Sequence, residues 1–119
     1  MVPKSKVYEK AYAFAIRIVK AYQFLNITHK ENVLSKQLLR CGTSIGANIS
    51  EANGAISDNE FSAKIGIAYK ECLETKYWLQ LLKDTGYLEI KIYQSLFGDA
   101  DEIGRMLFAI LKSTRLKPT

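Results

Sequence analysis

The amino-acid sequence predicts an all-α fold, an antiparallel up-and-down four-helix bundle in a single domain. Only two prolines occur among the 119 residues, Pro3 and Pro118, so no proline ring excludes the chain between them from a helix. Apolar residues recur every three or four positions through four long segments, which is the period of helices with a buried side. The links between the segments are so short that each helix can pack only antiparallel to its neighbour.

The first predicted helix, residues 5–25, carries a basic stripe opposite its apolar sector. The stripe consists of Lys6, Lys10, Arg17 and Lys20. The net charge of the chain is +5, which is compatible with an acidic partner but does not require one. Two interpretations of the basic stripe therefore stay open. The stripe is either a solvated face or, with Lys36 on the second helix, a surface that binds the phosphate backbone of RNA or DNA. The two differ in whether these cations share one open surface or are neutralised by acidic neighbours.

The second helix carries the most distinctive pattern of the chain. Its apolar side chains fall in one helical stripe, which predicts a packed edge, and they are Leu38, Cys41, Ile45, Ile49 and Ala52. Gly42 and Gly46 lie one turn apart, on a different side of the helix from this apolar stripe. Since glycine within a helix costs about 1 kcal/mol relative to alanine, this pair predicts a neighbouring helix that approaches closely.

A polar row adjoins that packed edge and consists of Arg40, Ser44, Asn48 and Glu51. The favoured interpretation is structural, since hydrogen bonds from such a row fix the register of neighbouring helices. Its concrete form would be an ion pair of Arg40 with Glu71 or Glu74, either within one chain or across a subunit boundary. In the alternative interpretation, Arg40 and Asn48 face a ligand or an RNA backbone.

The third helix has two apolar rows. The first row would fill the bundle core and consists of Phe61, Ile65, Ala68, Cys72, Thr75 and Leu79. The second row consists of Tyr69, Leu73, Tyr77 and Leu81. A helix that is apolar on two sides needs two partners, so the second row predicts an interface in a homo-oligomer. A central position of this helix within one chain would also explain the pattern.

Start and stop signals set the helix boundaries. Thr28-His29-Lys30-Glu31 and Ser57-Asp58-Asn59-Glu60 both have the form of a capping box, in which the glutamate reaches back to the cap residue. Gly86 suits the left-handed residue that ends a helix. Gly98 and Gly104 weaken the last helix locally and would allow a kink near Gly98. The predicted helices span residues 5–25, 29–53, 58–85 and 89–114.

The sequence lacks the residue patterns of common metal sites, nucleophile–base pairs and phosphate-binding loops. His29 is the single histidine, so the Glu-x-x-His pairs of di-iron bundles cannot form. Ser44 and Ser50 have no base at helical spacing, and Gly42 and Gly46 do not form a phosphate-binding loop. We therefore expect no enzymatic activity, no metal and no cofactor.

The sequence also predicts a cytoplasmic protein without a membrane partner. No uncharged run approaches the length of a membrane span, and no signal peptide follows the N-terminus. Cys41 and Cys72 both fall on apolar helix faces. Two cysteines in such positions are expected to be reduced, buried thiols.

Two consecutive motifs carry a resemblance to a known family. The first is R-x3-S-I-x-A-N-I-x-E from Arg40 to Glu51. The second is E-F-x-x-K-I-x-I-A-x-K-E-x-x-E-T-x-Y-W-L-x-L-L from Glu60 to Leu82. Over about residues 5–112, the chain resembles a small bacterial four-helix-bundle family first found as open reading frames within intervening sequences of 23S ribosomal RNA genes.

The resemblance implies an assembly and several partners. Relatives in this family look like homopentamers, in which a basic stripe would be repeated in every subunit. One branch is similar to the accessory protein that partners the reverse transcriptase of diversity-generating retroelements and binds nucleic acid through a basic surface. The resemblance therefore implies RNA, DNA, a reverse transcriptase or another protein as partners.

Two hypotheses of function follow from the residues and the resemblance together. In the first, the protein is a non-enzymatic oligomeric scaffold that binds the nucleic-acid backbone through Lys6, Lys10, Arg17, Lys20 and Lys36. In the second, it is a protein-interaction or structural oligomer with no nucleic-acid ligand, and the cations only keep it soluble.

Overall fold

The computed structural model describes residues 5–115, which form four α-helices. They are α1 (Lys6–His29), α2 (Leu34–Asn53), α3 (Asp58–Asp84) and α4 (Ile90–Arg115). Each helix packs against two others in a closed ring, and within the described residues no Cα atoms of the diagonal pairs α1–α3 and α2–α4 lie within 8 Å of each other. Short links between ring neighbours make the helices alternate in direction. The predicted all-α four-helix bundle is confirmed.

The junction between α1 and α2 differs from the prediction. Helix α1 continues to His29, whereas the sequence placed its end at Leu25, and α2 begins at Leu34 and not at His29. Thr28 is therefore an interior residue of α1, and the predicted capping box at residues 28–31 is wrong. The helix ends where Lys30 adopts a left-handed φ of 55° and donates its amide to the carbonyl of Leu25.

Glu31 explains why α2 begins where it does. One Oε atom of Glu31 accepts hydrogen bonds from the amides of Val33 and Leu34, at 3.0 and 2.8 Å, and the other accepts from the amide of Ser35 at 2.8 Å. The Ser35 hydroxyl in turn donates to the Glu31 carbonyl at 2.9 Å. One carboxylate thus satisfies three amides that have no partner within the helix, next to the positive end of the helix dipole.

The other described helix ends lie within one residue of the predicted positions. The Ser5 hydroxyl accepts from the amide of Tyr8 at the start of α1. Ser57 accepts from the amide of Glu60, as predicted, but the Glu60 carboxylate accepts from the amide of Ile56, one residue before the cap, and not from that of Ser57 itself. Gly86 has a φ of 89°, as predicted for a residue that follows a helix. Helix α4 continues without a break through Gly98.

The core is built around the predicted packed edge of α2. All five of its apolar residues are buried, together with Phe14 and Ile18 of α1, Leu79 of α3 and Leu107 of α4. A Cβ atom added to Gly42 would lie 2.9 Å from the side chain of Ile18, so α1 is the closely approaching helix. Within residues 5–115, no helix is long and apolar enough to cross a membrane.

Candidate interaction surfaces

The second apolar row of α3 lies on the outside of the bundle. Leu73 and Tyr77 are 47% and 59% exposed, and Tyr69 and Leu81 are partly buried. Helix α4 adds Phe108, whose ring centroid lies 5.7 Å from that of Tyr69. These five residues are called the α3 outer face below. Helix α3 packs its other side into the core and leaves this row on the outside of the bundle. A central position of α3 within one chain therefore does not explain the row.

Both cysteines are buried in the core, Cys41 on α2 and Cys72 on α3 beside this face. The Cys72 thiol donates to the carbonyl of Ala100 at 3.0 Å, and a small pocket of about 270 Å³ opens beside it between α3 and α4. Burial raises the pKa of both Cys72 and Cys41 to about 11. Both groups are therefore protonated thiols near neutral pH, and thiols are weak nucleophiles.

The basic stripe of α1 faces α4, which neutralises part of it. The Lys10 ammonium lies 3.1 Å from Glu102, and Arg17 donates to Asp99 at 2.6 Å and to the Ser95 hydroxyl at 2.9 Å. The remaining cations, Lys6, Lys20 and Lys36, are exposed and have no acidic partner within residues 5–115. Lys36 lies on α2, which packs directly against α1.

The polar row of α2 lies along its seam with α3. Arg40 bridges two carboxylates of α3, with one guanidinium nitrogen 3.3 Å from Glu71 and another paired with Glu74. The Trp78 indole also donates to Glu74 at 3.0 Å. At the other end of the row, Glu51 pairs with Lys64 of α3 at 2.6 Å. The within-chain pairing of Arg40 is thus the arrangement that the structure shows.

The middle of the polar row is satisfied within α2 itself. The Asn48 side-chain amide donates to the carbonyl of Ser44 at 2.9 Å, and both residues are partly exposed. Arg40 keeps 49% of its side chain exposed despite its two ion pairs. The row therefore joins α2 to α3 at its two ends and remains accessible to solvent along its length.

Comparison with known proteins assigns the family. Residues 3–109 match the family model described as 23S rRNA-intervening sequence protein. The chain belongs to this family. A solved structure from Bacteroides thetaiotaomicron VPI-5482, described as a protein with unknown function from the S23 ribosomal protein family, is 50% identical, with a TM-score of 0.88. The match covers 89% of this chain and 98% of that one. No curated protein matches the chain.

The first of the two motifs, from Arg40 to Glu51, coincides with the α2–α3 seam. Arg40 and Glu51 are the motif residues that make the two cross-helix ion pairs, and Ile45 and Ile49 are motif residues in the core. Hydrogen bonds from Trp78 and from Arg40 lower the pKa of the Glu74 carboxyl. The motif thus describes how α2 and α3 are held together.

Arg40→Ala is expected to destabilise the fold more than Lys10→Ala. Exposed ion pairs contribute less than about 1 kcal/mol, so Lys10→Ala should cost a few tenths of that amount. Loss of Arg40 also leaves Glu71 and Glu74 as neighbouring like charges, and we expect a cost of about 1 kcal/mol. Urea unfolding of both variants measures the difference. Equal midpoints would show that the polar row is ordinary surface.

Proposed function

We propose that this chain is a non-enzymatic subunit of a homo-oligomeric scaffold, assembled through the α3 outer face. The observation that carries the proposal is the exposure of Leu73 and Tyr77 on a helix whose opposite side fills the core. Covering apolar surface contributes about 25 cal/mol per Å², and large aromatic side chains dominate the energetics of interfaces. A second copy of the chain would remove this row from water.

The positions of exposed apolar residues support a ring of subunits. Helix α1 carries a second exposed row, Tyr12, Ile16 and Val19, which are 58%, 45% and 37% exposed. Helices α1 and α3 occupy opposite corners of the bundle, since in residues 5–115 none of their Cα atoms lie within 8 Å of each other. Contact between two different surfaces on opposite sides propagates head to tail and closes into a ring when the rotation permits. The family resemblance implies five subunits.

Solution mass tests the assembly. We expect the wild-type protein at micromolar concentration to sediment at a multiple of the 13.5 kDa subunit, close to fivefold. Leu73→Glu should shift it to the monomer mass without loss of helix content, because a buried unpaired carboxylate opposes association. Ile56→Glu is the matched control, since Ile56 is 93% exposed in the α2–α3 link. A wild-type protein of monomer mass would refute the proposal.

The environments of the reactive groups support a non-enzymatic role. Both cysteines are protonated thiols in the core, as described above. The His29 ring lies edge-on between Phe24 and Tyr87, with ring centroids 5.3 and 5.7 Å away. No three His, Cys, Asp or Glu side chains in the described part of the chain are grouped so that they could hold a metal ion. The cytoplasmic location stays a prediction.

Binding of the RNA or DNA backbone is the second candidate function. The observation that favours it is the excess of positive charge, with Lys6, Lys20 and Lys36 exposed and without acidic partners in residues 5–115. A ring would repeat these lysines in each subunit, and multivalency strengthens weak contacts. Partial neutralisation of the stripe by Asp99 and Glu102 weakens this candidate relative to the scaffold alone.

Salt-dependent binding tests the nucleic-acid candidate. We expect micromolar binding to a structured RNA or the matching DNA duplex at low salt, and steep weakening at near-physiological salt as counterions compete. The triple variant Lys6→Gln, Lys20→Gln and Lys36→Gln should lose binding. The control variant Lys10→Gln with Arg17→Gln removes cations that are already paired and should retain it. No binding at low salt would leave a protein-interaction or structural oligomer, with a reverse transcriptase or another protein as its partner.

A further inference from the structure

A half-open groove of about 700 Å³ runs between α1 and α4, beside the α3–α4 link. Its apolar lining consists of Ala21 and Phe24 of α1, Leu88 of the link, and Ile92 and Leu96 of α4. The α1–α4 seam is the least extensive of the four helix seams, and Ala21 contributes only a small side chain to the lining of the groove. The groove therefore lies in the seam where the bundle packs least extensively.

Part of the apolar lining is left in water. Leu88 and Leu96 are buried and form the floor. Phe24 and Ile92 form the walls and remain 48% and 44% exposed. Small-molecule sites typically have volumes of about 300–1,000 Å³ and a mainly apolar lining with a few placed polar groups. The groove has this size and this lining.

The charges of the groove are separated along its length. Lys20 and Arg17 lie at one end, where Arg17 is held by Asp99 and Ser95. Lys20 has no acidic partner within residues 5–115. Glu89 and His29 lie at the other end, and His29 is roughly 13 Å beyond Lys20 along α1 at 1.5 Å per residue. An elongated apolar molecule in the groove would thus meet an unpaired cation at one end only.

We propose that this groove binds a small anionic amphiphile, with its carboxylate at Lys20 and its apolar chain over Leu88 and Leu96 toward the α3–α4 link. The charge of Lys20 selects the sign of the head group, and the exposed walls Phe24 and Ile92 lose contact with water when the chain is bound. This inference goes beyond the scaffold role and does not depend on it, since the groove lies within one subunit.

The test uses the full chain and laurate as the probe, below its micelle-forming concentration. We expect binding in the micromolar range, with amide NMR shifts confined to α1, α4 and the α3–α4 link. Dodecylammonium has the same chain and the opposite charge, and should bind at least about tenfold more weakly. Equal binding of the two probes, shifts centred on the α3 outer face, or no binding would each overturn the proposal.

Two variants and one control locate the site. Lys20→Gln should weaken laurate binding by about tenfold, because it removes the charge-assisted contact. Ala21→Phe should fill the groove and abolish binding, whereas Lys36→Gln on α2 should leave binding unchanged. Retention of full affinity by both Lys20→Gln and Ala21→Phe would overturn the proposal. A response only in the Leu73→Glu monomer would show that a second copy occupies the groove, and would overturn it as well.

Discussion

Gly42→Leu is expected to lower the free energy of unfolding of the subunit by about 3 kcal/mol. A Cβ at this position would lie 2.9 Å from both Cγ atoms of Ile18, which is fully buried, so α1 and α2 would have to separate. Overpacking of a filled core commonly costs about 1–3 kcal/mol, and leucine is much larger than the missing methyl group. Urea unfolding followed by circular dichroism measures the change, with the denaturant slope as a check on two-state behaviour.

Gly98→Leu is the matched control for this substitution. An added Cβ at Gly98 meets nothing within 4 Å, and the residue is exposed on α4. Leucine there should stabilise the helix by up to about 1 kcal/mol, since glycine is a poor helix former. Adding Ile18→Ala to Gly42→Leu should cost less than Ile18→Ala alone, because the two changes share one space. Effects of the same sign at Gly42 and Gly98 would contradict the close approach of α1 and α2.

Glu31→Ala is expected to cost about 2 kcal/mol near neutral pH. The substitution leaves three amides at the start of α2 without their acceptor, and hydrogen bonds to a charged group contribute about 1.5–3 kcal/mol. Glu60→Ala is the comparison variant. Glu60 accepts from one exposed amide, that of Ile56, and we expect a loss of only a few tenths of a kcal/mol. Similar losses in the two variants would show that burial and the number of amides do not matter.

The cost of Glu31→Ala should also depend on pH. Burial raises the pKa of the Glu31 carboxyl, but the hydrogen bonds from Leu34, Ser35 and Val33 outweigh it, and the pKa lies below the usual value of 4.5. The carboxylate therefore stabilises the fold fully above the pKa of the unfolded chain, and this stabilisation is lost as the pH falls through the folded value. The difference between wild type and Glu31→Ala should shrink below about pH 4.5. An unchanged difference at pH 3 would contradict this account.

Local patterns were sufficient to predict the helices but not the turn between α1 and α2. The packed edge of α2 was readable because buried side chains recur at the helical period. Thr28-His29-Lys30-Glu31 satisfied the capping rule equally well, yet Thr28 lies inside α1. What decides the junction is the left-handed Lys30, which turns the chain so that the Glu31 carboxylate meets the amides that follow it. A positive φ at a lysine has no sequence pattern of its own.

Among the candidate surfaces, too, some contacts could be predicted from the sequence and others could not. The partners of Arg40 could be limited to Glu71 and Glu74 from the spacing of residues, because adjacent antiparallel helices place one row of side chains opposite another. The partner of Arg17 could not, since Asp99 lies 82 positions further along the chain and its helix faces α1 only in the closed ring. The α1–α4 groove likewise depends on how far apart the first and last helices lie. Periodicity within a single helix predicts neither the partner of Arg17 nor the distance between α1 and α4.

The four helix seams within one subunit differ in extent, and this difference implies an order in which the subunit can fold. The α2–α3 seam is the most extensive, and its two helices are consecutive, so they can form a hairpin with little loss of loop entropy. The α1–α4 seam joins the two ends of the chain and is the least extensive, which makes it the last to form and the first to open. The two sequence motifs both lie in the central hairpin. The part of the chain that carries both motifs is thus also the part best suited to nucleate folding.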